Sequence, residues 1–566
     1  MYILGISCYY HDSAAVLLKD GQLIAASEEE RFSRIKHDFS FPKQSIRFCL
    51  RKAGIKPEDL SYVVFYEKPF LKFQRVFLNA FNFFPKTREF FIESMKKYFF
   101  DSLWIKSHIV NELQVSPKKI LFSEHHLSHA ASAFFCSPFQ KSAILTIDGV
   151  GEWATVTWGV GEGNKITLKE EIRFPHSLGL LYSVFTVFAG FEANEGEYKL
   201  MGLAPYGKPL YVEKVRKLLD IASDGSFSML LDNFSYHYSL RSVYTKKFEK
   251  LFGQPNLTPD KVAIYYADIA SSIQYVLEEI LLKIATYVKK QTNLNLLCYA
   301  GGVALNGVAN WKIAQSNLFK DIYIQPAAGD SGGALGAALW AYHTVLGNKR
   351  NFVMNNVYYG DEQKDHEVRN YLDKENIPYK KMNEESLIEE VAQRLDKGEV
   401  VGWVQGEFEW GPRALGHRSI LADPRKKSMR KTVNSKIKFR EAFRPFAPSI
   451  LAEKGNEYFM TDKKEKQYPF KFMQYVLPVK NKERKHLGAI THVDGTSRPQ
   501  FVEKKINPKY YNLIKSFGEK TSIPILLNTS FNLKGEPIVN TPAEAVSTFK
   551  RSGIDILVID NFMLTK

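Results

Sequence analysis

An α/β fold is predicted, built from a strand-rich unit that occurs twice and is followed by a second domain mixing helices and strands. Three observations predict it. The opening, YILGIS then HDSAAVLLKDGQLIAASEEER, reads as a buried strand, a turn, a second strand, an Asp20-Gly21 hairpin and a third strand. The plan returns at SAILTIDGVGEWATVTWGVGEGNKITLKEEI, where a buried strand ends in Asp148-Gly149 and glycine-punctuated strands follow. The polar, turn-rich stretch GNKRNFVMNNVYYGDEQKD then marks a boundary, giving domains at 1–358 and 359–566. In the second, SLIEEVAQRLDKG reads as an amphipathic helix stopped by Gly398, and VVGWVQG as a short strand entering a loop.

Bulk properties narrow the class. With 566 residues, 45% hydrophobic and 24% charged, the chain is long enough for more than one core and is neither disordered nor fibrous. Four cysteines, none in a C-x-x-C pair, suggest neither a disulfide framework nor a zinc knuckle and fit a reducing cytoplasm. MYILGISCYYHDS lacks a basic leader, so no signal peptide is expected. The apolar run from Ser177 to Phe191 falls short of the roughly 20 residues a membrane span needs. The net charge of +16 is compatible with nucleic acid, a membrane surface or anionic small substrates. Between the two strand-rich units, Phe65 to Lys106 is dense in Phe, Tyr, Lys and Arg at helical spacings. It reads as a helical insertion packed on the core with Lys and Arg on its wet face, in preference to a membrane or nucleic-acid contact.

Several constellations carry chemistry. In SEHHLSHAASAFF, His125 and His129 are four apart and share a face if the segment is helical. Asp148 and Asp330, each expected where a strand gives way to a glycine-rich turn, are candidates to complete a two-histidine, two-aspartate site. Taken singly, on spacing alone, either aspartate reads as a turn former or helix cap in preference to a ligand. CYAGGVALNGVANWKI opens a strand into Gly301-Gly302 and a helix, and Gly-rich turns of this kind let backbone amides approach phosphate. No G-x-x-x-x-G-K-[ST] occurs, so a P-loop is excluded. His11 and Asp12 follow the first strand, where a histidine could take a proton from a hydroxyl or simply solvate a turn. The second domain collects Arg413, Arg418, Lys438, Arg440, Arg444 and Arg498, many in apolar or proline-bearing loops, as convergent phosphate recognition requires. Asn528 and Asn532 add neutral hydrogen-bonding groups.

Two strand-rich units facing a nucleotide cleft resemble, by analogy, the actin-like ATPase superfamily. The motifs HDSAA, SEEERFSRIKHD, HHLSHAASAFF, DGVGEWAT, GEYKLMGLAPYG, GGVALNGVAN, GDSGGALGAA, GPRALGHRSILADPR, FREAFRPFAPS, DGTSRPQ and NTSFNLKGEPIV, in that order, resemble the O-carbamoyltransferase family of nodulation-protein, cephamycin and tobramycin type. That resemblance implies a duplicated actin-like domain, similar to the threonylcarbamoyl-transfer ATPase, fused to an α+β domain that forms carbamoyl-adenylate from ATP and carbamoyl phosphate. It implies iron, with manganese or zinc as alternatives, on His125, His129, Asp148 and Asp330, and Mg with ATP. Gly149, Gly302, Asn306 and Asp330 would meet the nucleotide. His11 and Asp12 would meet the acceptor hydroxyl, with His11 as base. Arg413, Arg418, Lys438, Arg444, Met473, Arg498 and Asn528 would form the adenylation site. His417, Ser128 and Trp410 depart from the family's pattern without removing a ligand. The implied partners are small molecules, in particular the hydroxyl of a secondary metabolite such as an antibiotic, or of a sugar. No nucleic acid and no membrane span are expected, and a homodimer stays open. The competing readings are a tRNA-modifying threonylcarbamoyl transferase, favoured by the basic charge, and a nucleotide-binding protein without turnover.

Overall fold

The computed structural model describes residues 1–100, 102–253, 259–441 and 443–566, with the side chains of 97–100, 102 and 259–262 excepted. The chain divides into two compact units, one of Met1–Ile24 with Phe39–Val353 and one of Ala25–Asp38 with Met354–Lys566.

Alternation of buried apolar residues with tight turns builds the first unit. Its elements are β1 (Tyr2–Ser7), β2 (Ala14–Lys19), β3 (Gln22–Glu28), β4 (Leu60–Phe65), α1 (Pro69–Asn82), α2 (Arg88–Phe100), β5 (Ile120–Phe122), α3 (His125–Phe134), β6 (Lys141–Ile147), β7 (Ala154–Glu162), β8 (Lys165–Arg173), α4 (Leu178–Phe188), α5 (Pro259–Thr292), β9 (Leu296–Ala300), α6 (Gly307–Gln315), β10 (Asp321–Ile324) and α7 (Asp330–Trp340). Two five-stranded sheets result, with orders β3-β2-β1-β4-β5 and β8-β7-β6-β9-β10. Both centre on a strand that pairs antiparallel with its hairpin partner and parallel with the strand on its other side, β1 between β2 and β4, β6 between β7 and β9. This repeated order is the duplicated α/β unit that the sequence predicts. β3 starts in this unit and runs on into the segment Ala25–Asp38 of the other.

Small residues decide how closely the helices approach. A Cβ on Gly5 would stand 2.0 Å from the Ala334 carbonyl oxygen, and one on Gly336 would stand 1.7 Å from that of Ser128. The run DSGGALGAALW therefore lets α7 lie directly on both β1 and α3. Asp330, expected at a strand end, is instead the first residue of α7, beyond the end of β10 at Ile324.

The second unit holds β11 (Lys380–Lys381), α8 (Glu384–Asp396), β12 (Val401–Val404), β13 (Arg418–Ala422), β14 (Ala447–Leu451), β15 (Gln500–Val502), α9 (Pro508–Thr521), β16 (Ile525–Ser530), β17 (Ile556–Ile559) and β18 (Phe562–Thr565). Its mixed sheet runs β11-β18-β17-β12-β13-β16-β14-β15. Leu387, Val391 and Leu395 of α8 and Leu513, Ile514 and Phe517 of α9 bury a face against Trp403, Leu526 and Val558 of the sheet. Ala25–Asp38, which the sequence reading kept in the first domain, is tied into this unit. Arg34 donates to the carbonyls of Ile538 at 2.7 Å and Pro537 at 2.9 Å, and Gly411 N–H donates to Glu28 Oε1 at 3.0 Å.

Among the described residues no helix is long and apolar enough to cross a membrane. Ser177–Phe191 contains α4, whose residues Leu181, Val184 and Phe185 are core.

Candidate functional site

In the first unit the site grows from the start of α3. One helical turn separates His125 from His129, so both imidazoles leave the same face. Asp148 follows β6 and meets them, and α7 brings Asp330 alongside. His125 Nε2 lies 2.9 Å from Asp148 Oδ2, 3.1 Å from His129 Nε2 and 3.6 Å from Asp330 Oδ1. His129 Nε2 is 3.4 Å from Asp148 Oδ2 and 3.6 Å from Asp330 Oδ1. All four residues are buried and offer one ligand atom each within 4.8 Å of the others. Donors about 2.1 Å from one ion stand about 3.4 Å apart in a tetrahedron, so these separations are those of a coordination shell. Asp330 Oδ2 is buried without a partner among the described residues, a further sign that a cation belongs here.

The surroundings hold the cluster in place. Asp148 Oδ1 accepts from the Gly302 N–H at 2.8 Å, which ties β6 to the Gly301-Gly302 turn. Glu152 accepts from the backbone N–H groups of His125 at 3.0 Å and Lys68 at 2.7 Å, placing a carboxylate at the N-terminus of α3. Behind His125, Glu67 Oε2 lies 3.8 Å from Nδ1, and both Glu67 oxygens accept from Lys72 at 2.8 and 3.0 Å. Burial works to raise the pKa of Glu67, but Lys72 and His125 bring it down to about 2. Burial alone would lower the pKa of His125, yet Asp330, Asp148 and Glu67 hold it well above the usual imidazole value. Burial likewise opposes ionisation of Asp148, and hydrogen bonds from His125 and His129 keep its pKa well below the carboxylate range. Glu67, Lys72 and Glu152 were not singled out from the sequence.

The expected nucleotide residues are partly committed elsewhere. Asn306 Oδ1 caps α6 by accepting from Ala309 N–H at 3.0 Å, and its amide exchanges hydrogen bonds with Gln274 of α5. Gly149 lies next to Tyr10, whose hydroxyl would be 4.0 Å from a Cβ placed there, while its carbonyl accepts from Ser177 Oγ at 2.7 Å. The His11 ring lies tilted against that of Tyr10 at 4.7 Å between ring centroids, and the Asp12 carbonyl accepts a long 3.4 Å bond from Ser7 Oγ.

The second unit gathers cations. Burial and the neighbouring Arg413, Arg440 and Arg444 push the Arg498 guanidinium well below its ordinary pKa. Lys438 is buried, and its ammonium donates to neutral acceptors: the Ser530 carbonyl at 2.9 Å, the Asn532 carbonyl at 2.8 Å and Asn532 Oδ1 at 2.6 Å. Burial, then Arg440, Arg444 and Lys36, lower its pKa strongly. Arg444 stands 3.5 Å from Glu441. Arg418 faces a different task. Its guanidinium donates to the carbonyls of Gln405 at 2.8 Å, Gly406 at 2.9 Å, His417 at 3.1 Å and Asp361 at 3.3 Å. Asn528 Nδ2 donates to Ser449 Oγ at 3.0 Å, and Asn528 Oδ1 is buried without a partner among the described residues. Met473 is buried with φ of 55°. Lys36 was not proposed from the sequence, because nothing local in SEEERFSRIKHD says that it nears Lys438.

A two-unit chain with a buried His/Asp cluster and an arginine group has counterparts in known sequences. The family models for the carbamoyltransferase N-terminus and C-terminus match residues 2–339 and 392–566, so the chain belongs to the carbamoyltransferase family and is a transferase. Nodulation protein NolNO of Sinorhizobium fredii is 39% identical over 569 residues, covering 99% of this chain and 79% of that protein. The 3'-hydroxymethylcephem-O-carbamoyltransferase of Amycolatopsis lactamdurans is 28% identical over 454 residues, covering 78% of this chain and 80% of that one. An uncharacterised protein of Synechocystis is 46% identical over 600 residues, covering 100% and 97%. Among solved structures, the HypF of T. kodakarensis aligns at 12% identity with a TM-score of 0.31, over 61% of this chain and 48% of that one.

Proposed function

We propose that this chain is an ATP-dependent O-carbamoyltransferase that uses carbamoyl phosphate. The observation that supports this most is the occurrence, in one carbamoyltransferase chain, of two chemically opposite sites: a buried His/Asp donor set and a group of mutually repelling arginines.

In the reaction, water releases phosphate from carbamoyl phosphate, leaving carbamate. A carbamate oxygen attacks the α-phosphorus of ATP, pyrophosphate leaves, and carbamoyl-adenylate forms. Arg413, Arg444 and Arg498, with Lys438, neutralise the phosphate charge, while Asn528 Oδ1 accepts from the carbamoyl amide and Met473 lines the site. Arg418 shapes this site through the loop carbonyls it binds. An acceptor hydroxyl then attacks the carbamoyl carbon and AMP leaves. His11 takes the hydroxyl proton and Asp12 orients the acceptor. Gly149 and Gly302 let backbone approach the nucleotide, and Asn306 fixes the turn that carries Gly302.

A divalent ion on His125, His129, Asp148 and Asp330 would supply Lewis-acid polarisation; Fe(II) is proposed, and Mn(II) and Zn(II) suit the same nitrogen and oxygen donors. Mg would accompany ATP. The acceptor is a small molecule, a secondary metabolite or sugar, in keeping with the hydroxymethylcephem named for one relative. The work is assigned to domains of about 1–358 and 359–566, the latter with Ala25–Asp38, in the cytoplasm.

The test is mass spectrometry of the purified protein with ATP, Mg and carbamoyl phosphate but no acceptor. Carbamoyl-adenylate that accumulates only when both substrates are present supports the reading, and its absence under every metal condition removes it.

A further inference from the structure

Helix α1 is built inside out. Its inner face carries polar groups with partners: Lys72 on Glu67, Arg75 over the Phe174 ring at 4.8 Å, and Asn79, which donates to the His237 carbonyl. Its outer face carries Phe70, Leu71, Phe77, Leu78 and Phe81, all exposed, with Phe70 at 73% and Phe81 at 76%. At 3.6 residues per turn these positions span about 120° of arc, interrupted only by Gln74. Phe84, 70% exposed, extends the stripe beyond the end of the helix. On α1 the expected basic wet face is replaced by an apolar one, while Lys86, Arg88 and Lys96 further along the insertion are exposed as expected, and the reason is plain in the packing. Lys72, Arg75 and Asn79 are held inward by partners from the rest of the unit, which leaves most of the large apolar side chains of α1 to water.

Monomers rarely leave so many large apolar side chains contiguous without a use for them. Directly after the stripe come Lys86 and Arg88, both exposed, and neither meets a carboxylate among the described residues; Lys86 lies over the Tyr238 ring at 5.5 Å. Phe and Leu on one face with adjacent unopposed cations is the composition of a helix that lies in a bilayer interface. A second copy of the chain fits less well, because it carries the same net charge of +16, which opposes self-association. The net charge of +16 favours an anionic surface further.

We propose that the outer face of α1, continued by Phe84, Lys86 and Arg88, docks the protein on an anionic lipid surface. The experiment is co-sedimentation of the full chain with vesicles of phosphatidylcholine alone and of phosphatidylcholine with phosphatidylglycerol, together with sedimentation velocity of the protein by itself. Binding is expected to the anionic vesicles only and to weaken with added salt. The double variant Phe70→Ser with Phe81→Ser, whose side chains already face water, is expected to bind at least about tenfold more weakly, since each loses several buried methylene equivalents. Lys86→Glu with Arg88→Glu is expected to abolish binding without touching the apolar stripe. Failure to bind either vesicle, equal binding to both, or binding unchanged in either variant overturns the proposal. Self-association that the Phe70→Ser, Phe81→Ser variant abolishes, with no vesicle binding, overturns it in favour of a second copy.

Discussion

The two cation-related sites of this chain solve opposite electrostatic problems. Around His125 and His129, carboxylates already face imidazoles, with His125 Nε2 at 2.9 Å from Asp148 Oδ2, so the cluster is paired within the unit itself. Around Arg498 the neighbours are Arg413, Arg440 and Arg444, and like charges face one another. The donor set of the first suits a cation, and under the proposed function the second receives an anion. A site that compensates itself is rigid before its ligand arrives, whereas one that repels itself gains most of its stabilisation from the ligand.

Removing a ligand atom should produce the largest effect. His129→Ala is expected to lower affinity for Fe(II) or Zn(II) by roughly a thousandfold or more, because an open four-donor site loses a strong nitrogen ligand. Metal content after dialysis measures this, and full retention would place the ion elsewhere. Next comes Arg498→Met. Affinity for pyrophosphate or ATP should fall about a hundredfold, as for loss of a charge-assisted phosphate contact. At the same time the ligand-free protein should gain on the order of 1 kcal/mol, because a repelled cation is gone. Titration calorimetry and thermal melts read the two signs, and a ligand-free protein that melts lower contradicts the repulsion.

Glu67→Gln sharpens the comparison at the first site. If Glu67 orients His125, metal affinity should fall about tenfold to a hundredfold while metal still binds, as for other outer-shell carboxylates. An unchanged affinity would reduce Glu67 to a partner of Lys72.

The smallest effect concerns acid. His417 stacks on Tyr358 with ring centroids 3.6 Å apart, and burial lowers its pKa to about 4, against the rise that Glu409 favours. The folded state therefore prefers neutral imidazole. Its contribution to stability is complete above the unfolded value of about 6.5 and is lost as pH falls from there towards about 4. His417→Gln should flatten the fall in urea midpoint between neutral and mildly acidic pH. A wild-type midpoint with no such fall would show that the ring ionises freely.

Much of this was legible in the residues. His125 and His129 declare a shared helical face by spacing alone, and the strand patterns at Tyr2 and Ser142 repeat visibly enough to foretell two sheets of one topology. Residue type, however, does not reveal what a side chain faces. Arg418 and Arg498 look alike in sequence, yet one is bonded to loop carbonyls and the other is held well below its ordinary pKa by burial and by the charges of Arg413, Arg440 and Arg444. Asn306, expected to meet the nucleotide, also caps a helix, which no local pattern announces. Glu67 and Lys72 act on His125 from a distant part of the chain, where no local pattern could point. In α1 both faces carry apolar residues, and the polar Lys72, Arg75 and Asn79 sit on the inner one, so periodicity alone could not say which face is wet. The attachment of Ala25–Asp38 to the second unit depends on bonds from Arg34 to Pro537 and Ile538, far beyond any window of sequence.

The most direct test of two sites with separate half-reactions is carbamoyl-phosphate-dependent release of pyrophosphate from ATP, measured for the wild-type, His129→Ala and Arg498→Ala proteins. Release by wild type and His129→Ala but not by Arg498→Ala is the predicted result. Loss in His129→Ala as well, or no release from any of the three with any metal, would contradict the division of labour between the cluster and the arginines.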